Sequence, residues 1–186
     1  MKVLALKSSI VGDNSFSSKL IDYFVENTNA EVKIRDLAAD PVPVLDIAAL
    51  GALNTPDSDI QKLSNEFIAE LQDVDLVVVA APMYNFNIPT QLKNYIDFIQ
   101  RAGVTFRYSA EGPEGLIKNT RALCISTRGG FHAANGTDTV VPVVKNALGL
   151  IGIPADFVLV EGLNIDKATA DAAMEKARKE ILTYAK

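Results

Sequence analysis

The sequence predicts a doubly wound α/β fold: five parallel strands in the order 2-1-3-4-5, helices on both faces, and a hairpin inserted before the fourth strand. Three observations lead there. Apolar, β-branched runs alternate with amphipathic stretches long enough for helices. The run "DLVVVAA" (Asp75–Ala81) is apolar from its second residue to its end, as a strand covered on both faces must be. The intervening stretches are long enough for the right-handed crossovers that parallel neighbours need.

The elements follow in order. "KVLAL" (Lys2–Leu6) is the first strand. "SSKLIDYFVENT" (Ser17–Thr28) places Leu20, Ile21, Phe24 and Val25 at helical spacing. "EVKIRDL" (Glu31–Leu37) alternates apolar and charged residues, the pattern of a half-exposed strand at the sheet edge or beside it. A long connection with three prolines has room for one helical turn. "SDIQKLSNEFIAELQDV" is an amphipathic helix with Ser58 or Asp57 as its cap. After the Asp75–Ala81 strand, "PTQLKNYIDFIQRAG" (Pro89–Gly103) reads as a helix with Pro89 in its first turn and Gly103 as its stop. "VTFRYSAEGPEGL" is the hairpin. "TRALCIST" is the fourth strand, "DTVVPVVKNALGLIG" a helix with Pro142 near its first turn, "ADFVLVEG" the fifth strand, and "KATADAAMEKARKEILTYAK" the closing helix.

The 186 residues suit one domain, 1–186. No apolar run reaches the ~18 residues of a spanning helix, and the N-terminus reads as a strand, not a signal peptide. The formal charge of −5, without a basic stripe, argues against nucleic acid as a partner. One Cys (Cys124) and one His exclude an internal disulfide and a metal cluster, and Cys124 reads as a buried hydrophobe. A cytoplasmic protein that needs neither membrane nor metal is the expectation.

In the 2-1-3-4-5 order, ligands sit beyond the carboxyl ends of strands 1 and 3, where the winding reverses. Three loops reach that place. "KSSIVGDNSFSS" carries five serines in eleven residues and opens a helix, whose free N–H groups and dipole favour a phosphate. A serine that only caps the helix accounts for one of these hydroxyls; five in this loop point to a phosphate. There is no G-x-x-x-x-G-K-[ST] and no G-x-G-x-x-G after the first strand, so neither a Walker-type nucleotide cradle nor an ordinary dinucleotide fingerprint is present. Hydroxyls and backbone at this position suit flavin mononucleotide (FMN).

"PMYNFNIP" then suits the flavin ring. Its backbone can bond the polar edge, Met83, Tyr84 and Phe86 offer apolar walls, and Pro82 and Pro89 restrict both ends. A packed loop that only covers the sheet edge accounts for the same residues. In "STRGGFHAANG", Gly129 and Gly130 allow close backbone approach, and N–H groups there, with His132, suit the ring edge that turns negative on reduction. The alternative is a Gly-Gly turn with Arg128 on the surface.

Together "LKSSI" with "SFSS", "APMYNFNIPTQLKNYIDFIQRAGVTFRY" with "GPEGL", and "STRGGFH" resemble the FMN-dependent NADH-azoreductase family, flavodoxin-like NAD(P)H:quinone oxidoreductases. The resemblance spans essentially the whole chain. It is specific in "PMYNF" and "RAGVTFRY" and weak in the helices; the connection around Pro41–Pro56 is shorter than in many members. It implies phosphate binding by Ser9, Ser15 and Ser17 with the backbone of Phe16, a position often polar in the family. It implies ring binding by Met83, Tyr84, Asn85 and Phe86, and a second flavin loop of Thr127, Arg128, Gly129 and Gly130, with Thr127 where the family usually has Ser. It further implies a homodimer with the active site at the interface, Phe106 and Tyr108 in the substrate roof, NADH or NADPH as donor, and quinones or azo compounds as acceptors. The activity expected is a two-electron ping-pong hydride transfer in which FMN carries the chemistry and no side chain is catalytic. A flavodoxin-type one-electron carrier is the rival reading, and the modest net charge, the hairpin and "STRGGFH" weigh against it.

Overall fold

A computed structural model describes residues Met1–Lys186. The strands are β1 (Lys2–Lys7), β2 (Glu31–Asp36), β3 (Leu76–Ala80), β4 (Phe106–Ser109), β5 (Gly112–Gly115), β6 (Arg121–Thr127) and β7 (Ala155–Val160). The helices are α1 (Phe16–Glu26), α2 (Ile47–Leu53), α3 (Asp59–Gln72), α4 (Thr90–Ile99), α5 (Val140–Leu150) and α6 (Lys167–Ile181). Five strands form one parallel sheet in the order β2-β1-β3-β6-β7. That is the expected 2-1-3-4-5 once the hairpin strands β4 and β5, which pair only with each other, are set aside.

The sequence pattern explains the layers. Every residue of β3 is buried, since helices cover both of its faces. Odd and even strand positions feed two separate cores. Leu4, Leu6, Val77 and Val79 pack with α3, α4 and α5; Val3, Ala5, Leu76 and Val78 pack with α1 and α6. β2 is the outer strand of the sheet, which is why it alternates and keeps charges. The C-terminal ends of β1, β3, β6 and β7 therefore open on one rim.

Local details differ from expectation in three places. The connection after β2 holds two turns of helix (α2), because Asp46 accepts from Ala49 N–H and caps it. Ser58, not Asp57, caps α3 by accepting from Gln61 N–H at 3.0 Å. The helix expected over Pro89–Gly103 ends at Ile99. Pro89 is its cap, and Gly103, at φ +79°, turns the chain four residues beyond the end. Side chains stop this helix: Ser64 Oγ donates to Phe98 O and Thr105 Oγ1 to Ile99 O, both at 2.6 Å, satisfying terminal carbonyls that a longer helix would use. The hairpin packs on the end of α5, where a Cβ on Gly115 would stand 2.1 Å from Gly152 N.

Candidate functional site

The loop after β1 folds back over the sheet rim. Ser8 Oγ donates to Ala80 O at 2.6 Å and ties β1 to β3. A 3₁₀ turn at Gly12–Asn14 then leads to Ser15, the cap of α1, whose Oγ accepts from Ser18 N–H at 3.0 Å. Ser17 is fully buried, with its Oγ 3.1 Å from Ser15 Oγ. The N–H groups of Phe16 and Ser17 donate to nothing in the chain. A helix start with two open N–H groups and two buried hydroxyls suits an anion by charge and by geometry.

The loop after β3 explains its unusual sequence. Tyr84 and Asn87 exchange both backbone hydrogen bonds, Tyr84 N–H to Asn87 O at 2.8 Å and Asn87 N–H to Tyr84 O at 3.0 Å. Asn85 and Phe86 between them both have positive φ, +48° and +63°. This is a two-residue hairpin turn that other chains fill with Asn-Gly. Asn tolerates the conformation, whereas a bulky Phe there carries strain of order 1–3 kcal/mol, as functional loops often do. Tyr84 OH lies 2.6 Å from Ser9 Oγ, so this loop is fastened to the serine loop. Phe86 O accepts from Thr139 Oγ1, and the Phe86 ring stands edge-on to His132 with centroids 5.5 Å apart.

The loop after β6 is held by its carbonyls. Met83 N–H donates to Thr127 O at 2.8 Å, and the N–H groups of Gly129, Gly130 and Phe131 are left without acceptors. A Cβ on Gly129 would meet Asn164 Nδ2 at 2.5 Å, so a larger residue there would make the Asn164 side chain shift. Arg128 is not on the surface: its side chain is wholly buried beside Ser126, Asp138 and Glu161. Burial alone pushes the Asp138 carboxyl up, but the Arg128 guanidinium and the Val140 and Val141 N–H groups outweigh it and hold the carboxyl below its usual range. His132 Nδ1 is 2.9 Å from Thr137 Oγ1.

These loops enclose a cleft of about 420 Å³. The loop after β1 contributes Ser9, Ser15 and Phe16 to its lining, the loop after β3 Met83 and Tyr84, and the end of β6 with its loop Thr127, Arg128 and Gly129. Ser17 lies buried behind Ser15; Asn85, Phe86, Gly130 and His132 stand outside the cleft proper. Phe106 and Tyr108 are not brought to it within one chain. Phe106 packs in the core, while Tyr108 projects from the hairpin, 77 % exposed. The sequence reading missed the loop after β7, whose Leu163 and Asn164 complete the cleft. The signal was available: a fifth parallel strand must end on the same rim, and "EGLN" follows it.

Comparison with known proteins agrees with this fold. Residues 1–185 match a family model described as having a flavodoxin-like fold. A curated relative from Yersinia enterocolitica, the FMN-dependent NADH:quinone oxidoreductase, is 51% identical over 98% of this chain and 96% of its own length. The crystal structure of azoreductase from Bacillus anthracis superposes over 100% of this chain and 98% of that one, with a TM-score of 0.87 at 25% identity. An FMN-dependent NADH-azoreductase from the same organism, solved in complex with FMN, shares the fold at a TM-score of 0.85 and 23% identity, with 100% and 99% of the two chains covered.

Proposed function

Because the chain belongs to the flavodoxin-like family that includes the FMN-dependent NADH:quinone oxidoreductases, we propose that it is itself such an enzyme, binding FMN in the four-loop cleft. The observation that carries this reading is a division of labour between loops: buried hydroxyls and open helix N–H groups in the loop after β1, and open backbone N–H groups that start at Gly129 in the cleft and continue to Gly130 and Phe131 beside it. The first group fits a phosphate, the second the polar edge of a flat ring, and Met83 and Tyr84 add apolar lining. Ser9, Ser15, Ser17 and the Phe16 backbone would hold the phosphate; Met83, Tyr84, Thr127 and Gly129 would hold the ring, with Asn85, Phe86, Gly130 and His132 at its rim.

Bound FMN would supply the two-electron chemistry that links NADH as donor to a quinone or azo acceptor. The chain's own work is binding, orientation and charge stabilisation by fixed donors. No side chain is assigned proton transfer. A second copy of the chain covers the open side of the cleft, where Ile10, Val11, Phe86 and Phe131 leave apolar surface exposed, and Tyr108 contributes from the hairpin. No helix is long and apolar enough to cross a membrane.

The test is anaerobic. The FMN-loaded protein is mixed with NADH, or with NADPH in a separate run, and the flavin absorbance is followed. Rapid bleaching, reversed by a benzoquinone, and parallel double-reciprocal lines are expected. Bound flavin that neither nucleotide reduces would replace the reductase with an electron carrier.

A further inference from the structure

Arg128 follows the last residue of β6, yet its side chain is 0 % exposed. Nη2–H donates to Ser126 Oγ at 2.8 Å. Nη1 lies 2.9 Å from Asp138 Oδ2, an ion-pair contact rather than an aligned hydrogen bond, and 3.7 Å from Glu161 Oε1. Asp138 belongs to the segment that opens α5, and Glu161 to the loop that follows β7. Glu161 Oε1 also accepts from His132 N–H at 2.7 Å and Ala133 N–H at 2.9 Å. One guanidinium therefore joins the end of β6, the start of α5 and the loop after β7.

The backbone repeats the pattern. The carbonyls of Arg128, Gly129 and Gly130 accept from the N–H groups of Leu163, Asn164 and Gly162 at 3.2, 3.0 and 3.1 Å. With these carbonyls engaged, the N–H groups at 129, 130 and 131 are the unused side of the segment. Two carboxylates face one guanidinium, so Arg128 cannot act at a distance as a free cation. What it supplies is geometry.

We propose that Arg128 is a positioning residue: its guanidinium stays off the cofactor and clamps the loops after β6 and β7, so that the open N–H groups of Gly129–Phe131 are set in advance for the polar edge of the flavin ring. This rests on the FMN reading above.

The experiment compares FMN and riboflavin binding, by flavin fluorescence quenching on the full-length protein, in wild type, Arg128→Met, Arg128→Lys and Asp138→Asn. The melting temperature of each flavin-free chain is measured alongside. FMN and riboflavin share the ring and differ in the phosphate, so loss of ring-side geometry weakens both by the same factor, expected to be tenfold or more. Arg128→Lys is expected not to rescue, because one ammonium cannot span Ser126 and Asp138 as the planar fork does. Asp138→Asn is the variant that decides the matter if Arg128→Met does not fold. It keeps the buried cation and an oxygen for the Val140 and Val141 N–H groups, which bond Oδ1, and replaces Oδ2, which faces Arg128.

Lowered melting temperature with unchanged flavin affinity would overturn the proposal and leave Arg128 merely structural. Loss of FMN binding with riboflavin binding retained would place the guanidinium on the phosphate instead. Full rescue by lysine would make charge, not geometry, its contribution. Wild-type protein that binds neither flavin would overturn the FMN reading itself, an outcome distinct from these three.

Discussion

Replacing Ser15 and Ser17 together by alanine tests the phosphate end of the cleft. The two hydroxyls carry two protons, and the 3.1 Å contact between them uses only one. The second proton is free for a ligand, and the first is released by breaking one neutral hydrogen bond. Two bonds to a charged phosphate contribute about 1.5–3 kcal/mol each, against roughly 1 kcal/mol for the neutral bond given up. The double variant should therefore lose about 2–5 kcal/mol of FMN binding, roughly 30- to 4,000-fold in Kd at about 1.4 kcal/mol per decade. Ser15 also caps α1, so its removal lowers stability by about 1 kcal/mol, while Ser17→Ala alone spares the cap. The assay is fluorescence titration with FMN and with riboflavin, which lacks the phosphate. FMN affinity should fall and riboflavin affinity should hold. Unchanged FMN affinity would refute the phosphate assignment, and an equal loss of both flavins would show that the variant had damaged the loop instead.

Two further outcomes follow from buried polar groups. Tyr95 OH is buried without a hydrogen-bond partner, beside an apolar void of about 10 Å³ that offers a water no polar contact. Tyr95→Phe keeps the tilted contact with Phe67 and removes an unpaired hydroxyl, so urea denaturation should show stability raised by about 1–2 kcal/mol with an unchanged m-value. A less stable variant would mean the hydroxyl has a partner. Burial pushes the Glu70 carboxyl up, but hydrogen bonds from Arg35 and Lys33 outweigh it and hold the carboxyl below its usual range. Its folded-state pKa lies below the unfolded value, about 4.3, so its stabilisation is complete above that pH and lost as the pH falls through the folded pKa. Glu70→Gln should lower stability at pH 7 by about 1–3 kcal/mol, since Arg35 keeps Glu66, and should flatten the acid side of the stability profile. An acid limb as steep as wild type would count against this assignment.

Much of the molecule was legible from the chain alone because the governing forces are local or periodic. The apolar run at Asp75–Ala81 could only be a covered central strand, and the alternation in Glu31–Leu37 marks an outer one. Strand and helix order then leave one sheet topology and one rim for a ligand, which is why the serine loop, "PMYNF" and "STRGG" could be singled out together. Other features depend on partners distant in sequence. The helix from Thr90 stops at Ile99 because Ser64 and Thr105 reach its last carbonyls, not because of Gly103. Asn164 reaches the cleft because its N–H donates to the carbonyl of Gly129, 35 positions earlier. Arg128 shows the division most clearly. As a charged residue next to two glycines it reads as surface, and its burial is possible only because Asp138 and Glu161 arrive from two other loops to neutralise it. The layers, the strand order and the rim follow from hydrophobic period and connection length, which are written in the order of the residues. The tertiary structure alone decided which polar groups are paired and which N–H groups stay open, since a hydrogen bond needs its partner in place, and only folding brings that partner in.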